Sequence, residues 1–337
     1  MQRTQKQQWA GGLLKPAGMG VLFLMLISFG LGLWSTARAA EFPSKPIQIV
    51  VPYNPGGPSD LTPRIISKRL SEILGQQVVV VNKPGGGTAI GSQAVLTAPA
   101  DGYTILSGEL SLIMLPLLNK GVGFTIQDFT PINLSTSSPL CMIVNKDSPF
   151  KSFEEVVAAA KKEPEKLTYS TAGPGSIARF AGELFQMSTG TKITQIPMNG
   201  APPAVTAVLG GQVSLSFMGA QVIKPHIEAE TLRGLAVLSR ERFEGYPDMP
   251  SIAEKGYPDM TATVFNVFMV PKKTPPEVVK KLGAAFNEAI KDKEVQELYR
   301  KAGLHIENRD PVEAKKFVDA EQKKWSEVAK MANITPK

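Results

Sequence analysis

Cysteine and histidine are nearly missing from this 337-residue chain: there is one cysteine, Cys141, and there are two histidines, His226 and His305. A single cysteine excludes an intrachain disulfide framework, and two isolated histidines without cysteine partners exclude the usual zinc constellations. The nucleophile elbow G-x-S-x-G is absent, and Gly86 to Gly91 is followed by Ser92 rather than the lysine of a phosphate-binding loop. Glycine (30) and proline (27) are spread without a fixed period, which excludes a collagen-like or low-complexity chain. What remains is a turn-rich globular protein whose chemistry rests on neither metal nor thiol.

Acidic residues are missing from residues 1–40, which carry Arg3, Lys6, Lys15 and Arg38. The run Val21–Trp34 is apolar and leads into Ser35-Thr36-Ala37-Arg38-Ala39-Ala40. This is the layout of a secretory signal peptide, with Ala37-x-Ala39 as the cleavage site and residues 1–39 removed. The run is too short to span a bilayer, at about 21 Å of helix against roughly 30 Å of hydrocarbon. No twin arginine and no cysteine for a lipid occur there. Without these residues the 37 basic side chains become 33 against 30 acidic ones, and the net charge of +7 falls to +3. That balance argues against nucleic acid or a polybasic membrane patch as a partner, and the mature protein is expected in the periplasm.

From Pro46 onward, β-branched runs end in glycine-rich turns that open amphipathic helices, the pattern of parallel α/β units. Strands are expected at 47–51, 77–81, the latter a valine run of the doubly buried kind, and 104–106. Helices are expected from the cap at Ser59-Asp60 to Leu74, and over 88–98. A second set begins at Leu140–Val144, with helices at 153–161, 176–188 and 204–209 and strands at 167–170, 193–197, 213–217 and 232–238. A strand at 263–270 precedes two terminal helices, 276–302 and 312–332, which are expected to pack back on the first domain. Linkers near 130–140 and 258–265 then cross between two domains.

Three turns stand out: Asn54-Pro55-Gly56-Gly57-Pro58-Ser59-Asp60, Pro84-Gly85-Gly86-Gly87-Thr88 and Ser170-Thr171-Ala172-Gly173-Pro174-Gly175-Ser176. Glycine lets backbone approach a ligand closely, and N–H groups at a helix start favour an anion. In open α/β sheets ligands sit at the carboxyl ends of strands, where all three turns fall. Gly173 to Ala178 fits G-x-G-x-x-A, but the following strand ends at Asn199 rather than at an acid for a ribose. Arg179 matches a ligand carboxylate in geometry or is a surface residue of its helix. Asp60 reads as a helix cap, Cys141 as a small buried hydrophobe, Glu154-Glu155 as solvated, and Phe317 and Trp325 as packing.

The chain resembles the tripartite tricarboxylate transporter solute receptors, the Bug family of periplasmic binding proteins. The residues carrying the resemblance are Phe42-Pro43-x-Lys45-Pro46-Ile47, Val51-Pro52-Tyr53-x-Pro55-Gly56-Gly57-x-x-Asp60, Asn82-Lys83-Pro84-Gly85, Asp101-Gly102-Tyr103-Thr104, Gly173-x-Gly175-Ser176, Ala181-Gly182-Glu183-Leu184-Phe185 and Gly210-Gly211-Gln212-Val213. The resemblance implies an α/β, two-lobed type II periplasmic binding protein fold, a Venus flytrap of two α/β domains joined by two crossover linkers. Lobe 1 is expected over 40–138 and 262–337, and lobe 2 over 139–261. It implies a non-enzymatic, monomeric receptor without cofactor or metal that captures a small organic carboxylate and delivers it to a membrane permease of that transporter type. A subunit signalling to a sensor kinase, or a secreted hydrolase, are the alternatives.

Carried onto this chain, the resemblance places Tyr53, Asn54, Gly56, Gly57, Ser59, Asp60, Gly86, Gly87 and Thr88 of lobe 1 around the ligand. Thr171, Gly175 and Ser176 of lobe 2 face them. Three positions depart from the family: Arg179 replaces a histidine, Met198-Asn199-Gly200 replaces Tyr-Lys-Gly, and Met218-Gly219 stands where aspartate is frequent. A lost lysine and two methionines imply a less cationic, more adaptable wall, suited to an aromatic or longer aliphatic acid as well as to citrate.

Overall fold

Strand β1 (Ile47–Val51) is five β-branched or amide residues, four of them buried, and it sits between two parallel neighbours, β2 (Val78–Asn82) and β3 (Thr104–Glu109). The computed structural model describes residues 41–56, 58–173 and 176–335. Helix α1 (Pro58–Leu74) follows β1, α2 (Ala89–Leu96) follows β2 after a tight 3₁₀ turn at Gly86–Thr88, and α3 (Ser111–Leu118) follows β3. The valine run of β2 is an edge strand, not a doubly buried one: among the described residues it pairs only with β1, and Val79 is 45% exposed. Helix α3 is so uniformly apolar that it has no amphipathic period, which is why the sequence pattern does not disclose it.

Strand β4 (Phe129–Asn145) continues for 17 residues and belongs to two sheets. Its first part pairs antiparallel with β9 (Thr263–Pro271) and β10 (His305–Arg309), completing the sheet of β1, β2 and β3. From Leu140 onward it pairs antiparallel with β7 (Leu215–Gly219) and β8 (Leu232–Val237). Strand β7 continues the second sheet in parallel with β5 (Thr168–Thr171), and β5 with β6 (Thr194–Pro197). The chain therefore passes from one sheet to the other inside an extended strand at Pro139–Leu140, not through a loop. It returns where Ala262, bonded through its carbonyl to Leu140 N–H at 2.8 Å, leads into β9.

Around the second sheet lie α4 (Phe153–Lys162), α5 (Ile177–Thr189), α6 (Ala201–Leu209) and α7 (Ala220–Glu228). Ser152 caps α4 by accepting from Glu155 N–H at 3.2 Å. Helix α7 is unforeseen in the sequence pattern, where Pro225 stands as a helix breaker in the middle of the segment. The C-terminal region breaks into α8 (Pro276–Lys291), α9 (Lys293–Lys301) and α10 (Pro311–Met331), with Asp292 and Asp310 capping α9 and α10. Helices α8 and α9 pack on the first-sheet side, through Phe286 against Phe268 and through Tyr299, whose hydroxyl donates to Thr62 O. Helix α10 does not stay on that side: Trp325 meets Phe180 of α5 edge to face at 6.0 Å, so the last helix touches elements of both sheets. No helix among the described residues is long and apolar enough to cross a membrane.

Candidate functional site

Five strand ends converge on a cavity of about 810 Å3. The β1–α1 turn contributes Tyr53 and Asn54, the β2–α2 turn Gly87 and Thr88, and the β3–α3 junction Glu109 and Ser111; from the second sheet come Gly173 and Ser176 after β5 and Gly200 after β6. The walls between them are apolar, built chiefly by Leu110 just before α3, by Met114, Leu115 and Leu118 of α3 and by Ile177 and Val264. Among the described residues, no lysine, arginine or histidine lines the cavity, and four helices, α2, α3, α5 and α6, begin at its edge. Helix starts carry partial positive charge, so the attraction for an anion comes from backbone rather than from side-chain cations.

Buried polar contacts shape these turns. Asp60, in the first turn of α1, accepts from Gly56 N–H at 2.9 Å, from Arg64 Nε at 2.8 Å and from Asn82 Nδ2 at 2.8 Å. The same Asn82 amide donates to Tyr53 O at 3.0 Å, which ties the β1 and β2 turns together. Burial by itself would raise the Asp60 pKa, but the bonds from Arg64, Gly56 and Asn82 outweigh it and bring it down to about 2. Across the cavity, Ser176 Oγ donates to Gly173 O at 2.8 Å, and Met198 N–H donates to Thr171 O at 2.9 Å. Thr88 holds φ at 93°, in the left-handed region that threonine avoids, and its buried hydroxyl has no hydrogen-bond partner among the described residues.

The Glu109 carboxyl interacts with the Tyr53 phenol, and Tyr53 Oη and Ser111 Oγ are 2.7 Å apart. Part of the Glu109 residue reaches solvent, yet protein atoms surround the carboxyl, and burial pushes its pKa up to about 7. Burial and the neighbouring Glu109 push the Tyr53 phenol upward as well. Among the described residues, no group of three or more His, Cys, Asp or Glu side chains is placed to hold a metal ion.

A family model, the tripartite tricarboxylate transporter family receptor, matches residues 62–334. The chain belongs to this family. The receptor is 33% identical to protein BugT of Bordetella pertussis over 302 residues, 89% of this chain and 93% of that one. Among solved structures, a TctC solute-binding protein from Polaromonas superposes with a TM-score of 0.78 at 28% identity, covering 86% of this chain and 99% of its own. An R. palustris protein solved with adipate superposes with a TM-score of 0.74 at 30% identity, over 88% and 100%. The receptor thus has the mixed α/β, two-domain fold of these periplasmic solute-binding proteins.

Of the residues singled out in the sequence, Tyr53, Asn54, Gly87, Thr88, Ser176 and Gly200 line the receptor's cavity. Ser59 lines a smaller adjoining space. Gly57 and Gly175 lie outside the described residues. Gly56, Gly86 and Asn199 are in the same turns but not on the cavity wall, and Asp60 and Thr171 are buried behind it. Arg179 is not on the wall either: its charge acts on Glu183, one turn along α5, and on Tyr169.

The methionine wall is not built. Met218 is buried in β7 opposite Cys141, and Met198 packs against the core. The apolar lining comes instead from α3. Glu109 and Ser111 were missed, although the sequence holds a signal, since Glu109 is the sole charged residue between Asp101 and Lys120.

Proposed function

We propose that this receptor works in the periplasm, after loss of residues 1–39, as a non-enzymatic monomer that binds a small organic carboxylate between its two sheets. It then hands the ligand to a membrane permease of the tripartite tricarboxylate type. The observation that carries the reading is the cavity itself: turns from both sheets meet there and helix starts surround it. Tyr53, Asn54, Gly87, Thr88, Ser176 and Gly200 are the contacts from the sequence reading, with Glu109 and Ser111 added. The first sheet forms lobe 1 (40–138 and 262–337) and the second lobe 2 (139–261), hinged at Pro139–Leu140 and Ala262–Thr263. Because both lobes touch the ligand only when closed, its differential affinity for the closed form drives closure. The R. palustris relative solved with adipate supports an aliphatic acid as the ligand class.

A thermal-shift screen of residues 40–337 against aliphatic and aromatic carboxylates and sugars tests this. A ligand with micromolar Kd, added at about 1 mM, stabilises the folded state by roughly 4 kcal/mol and raises Tm by several degrees. Gly87→Val, which puts a branched side chain at φ 63° beside Leu115, removes that shift. A response to sugars alone would overturn the carboxylate reading.

A further inference from the structure

Adjoining the cavity is a smaller chamber of about 200 Å3, and Glu109 and Val264 line both spaces. The chamber is more polar than the cavity: Thr136, Ser137 and Ser138 of β4, Asn266 of β9 and Gln221 of α7 stand on its walls beside Phe265 and Leu304. Among the described residues, neither space has a cationic side chain on its lining.

The hydrogen bonds around the chamber leave it short of donors. Ser107 Oγ donates to Ser59 O at 3.3 Å, so its one proton is committed. Ser107 therefore accepts at 2.9 Å from Asn266 Nδ2, which fixes the orientation of that amide and leaves Asn266 Oδ1 as an acceptor without a donor among the described residues. Asn266 is 4% exposed, as is Ser138, whose hydroxyl is also without a partner there. Gln221 Oε1 also lacks a partner, on an amide that no hydrogen bond orients and that can present its oxygen to the chamber. The Glu109 carboxyl has the Tyr53 phenol beside it and, among the described residues, no neighbouring cation. Buried acceptors without donors are costly, and a carboxylate without a cation more so.

We propose that the receptor's ligand carries an ammonium group as well as a carboxylate, with the carboxylate at the helix starts, an apolar body along α3 and the nitrogen on the Glu109 side. This rests on the carboxylate reading above and narrows it. An ammonium has three donors, which match the acceptors of Glu109, Asn266 and Gln221. A second carboxylate placed there meets a like charge in a confined, poorly solvated space, with the Ser138 hydroxyl as the main donor to receive it.

Calorimetric titration near neutral pH with matched ω-amino acids, monocarboxylates and α,ω-dicarboxylates of about four to eight carbons tests this, tenfold in Kd corresponding to 1.4 kcal/mol. The ω-amino acid of the best length is expected to bind at least tenfold tighter than both of its analogues. In Glu109→Gln its advantage over the monocarboxylate shrinks at least tenfold. A monocarboxylate or dicarboxylate that binds as tightly as the amino acid overturns the ammonium assignment and leaves the carboxylate reading standing. So does an unchanged ratio in Glu109→Gln. If no carboxylate of any kind binds, the reading beneath it falls as well.

Discussion

Tyr169 lies so close over Gly182 that a Cβ built on the glycine would stand 2.3 Å from the ring carbon Cε2. Gly182 is in the middle of α5, where glycine ordinarily costs about 1 kcal/mol relative to alanine. Here the order is reversed, because Tyr169 is fully buried and held edge to face against Phe217 at 6.0 Å and cannot withdraw. Gly182→Ala is expected to lower the urea midpoint, by about 1–3 kcal/mol of stability. Tyr169→Phe is expected to change stability by less than about 1 kcal/mol, since the buried hydroxyl has no hydrogen-bond partner among the described residues. A stabilised Gly182→Ala would show that the ring moves aside.

What the sequence discloses follows from where local chemistry acts alone. The strand at Ile47–Val51 and the cap at Ser152 depend on neighbours within a turn, and both stand where expected. The exposure of β2 depends on which strand ends the sheet, a long-range outcome that an unbroken valine run does not record. The same holds for the site. Glycine turns with helix starts are visible as motifs, so Gly87, Thr88 and Ser176 are found. Glu109 is brought to the cavity by strand order, and Met218 and Arg179 are turned from it by the faces of β7 and α5.

Asp60 sets the acid limit of the β1 turn. Its folded pKa is about 2, lowered from 3.8, so the stabilisation is fully present above pH 4 and is lost as the pH falls toward 2. With Arg64 partly in solvent, this amounts to on the order of 1–2 kcal/mol. Asp60→Asn is expected to lower Tm at neutral pH and to flatten the decline of Tm between about pH 4 and 2. Because Asp60 also accepts from Gly56 N–H, ligand affinity is expected to fall in the same variant as the turn loosens. Parallel acid profiles for the two proteins would remove Asp60 from this role.

Thr88 combines a strained backbone with a place on the cavity wall. At φ 93° a β-branched residue costs about 1–3 kcal/mol, which glycine would not incur. Truncating a buried threonine to glycine is ordinarily destabilising, through lost packing and a more flexible unfolded chain. In Thr88→Gly relief of the backbone offsets that loss, and a net change under about 1 kcal/mol is expected by chemical denaturation. The hydroxyl is lost to the ligand, so affinity in calorimetry is expected to fall several-fold. A large loss of stability with affinity intact would mean that the residue packs and does not bind.

Glu109 makes the opposite pH signature to Asp60. Its folded pKa is raised from 4.5 to about 7 by burial, so the folded state holds this proton more tightly than the unfolded chain does. Its contribution is therefore full below pH 4.5 and is lost as the pH rises through 7, by about 2 kcal/mol once the partial exposure of the residue is allowed for. Glutamine has no proton to lose. Glu109→Gln is expected to match the parent in denaturant midpoint near pH 4.5 and to exceed it above pH 7. An ammonium ligand removes the same penalty from the other side, by pairing with the ionised carboxylate, so its stabilisation of the parent is expected to grow between pH 5 and 8 while that of a plain monocarboxylate does not. If the two ligands stabilise with the same pH profile, Glu109 does not meet the ligand's nitrogen.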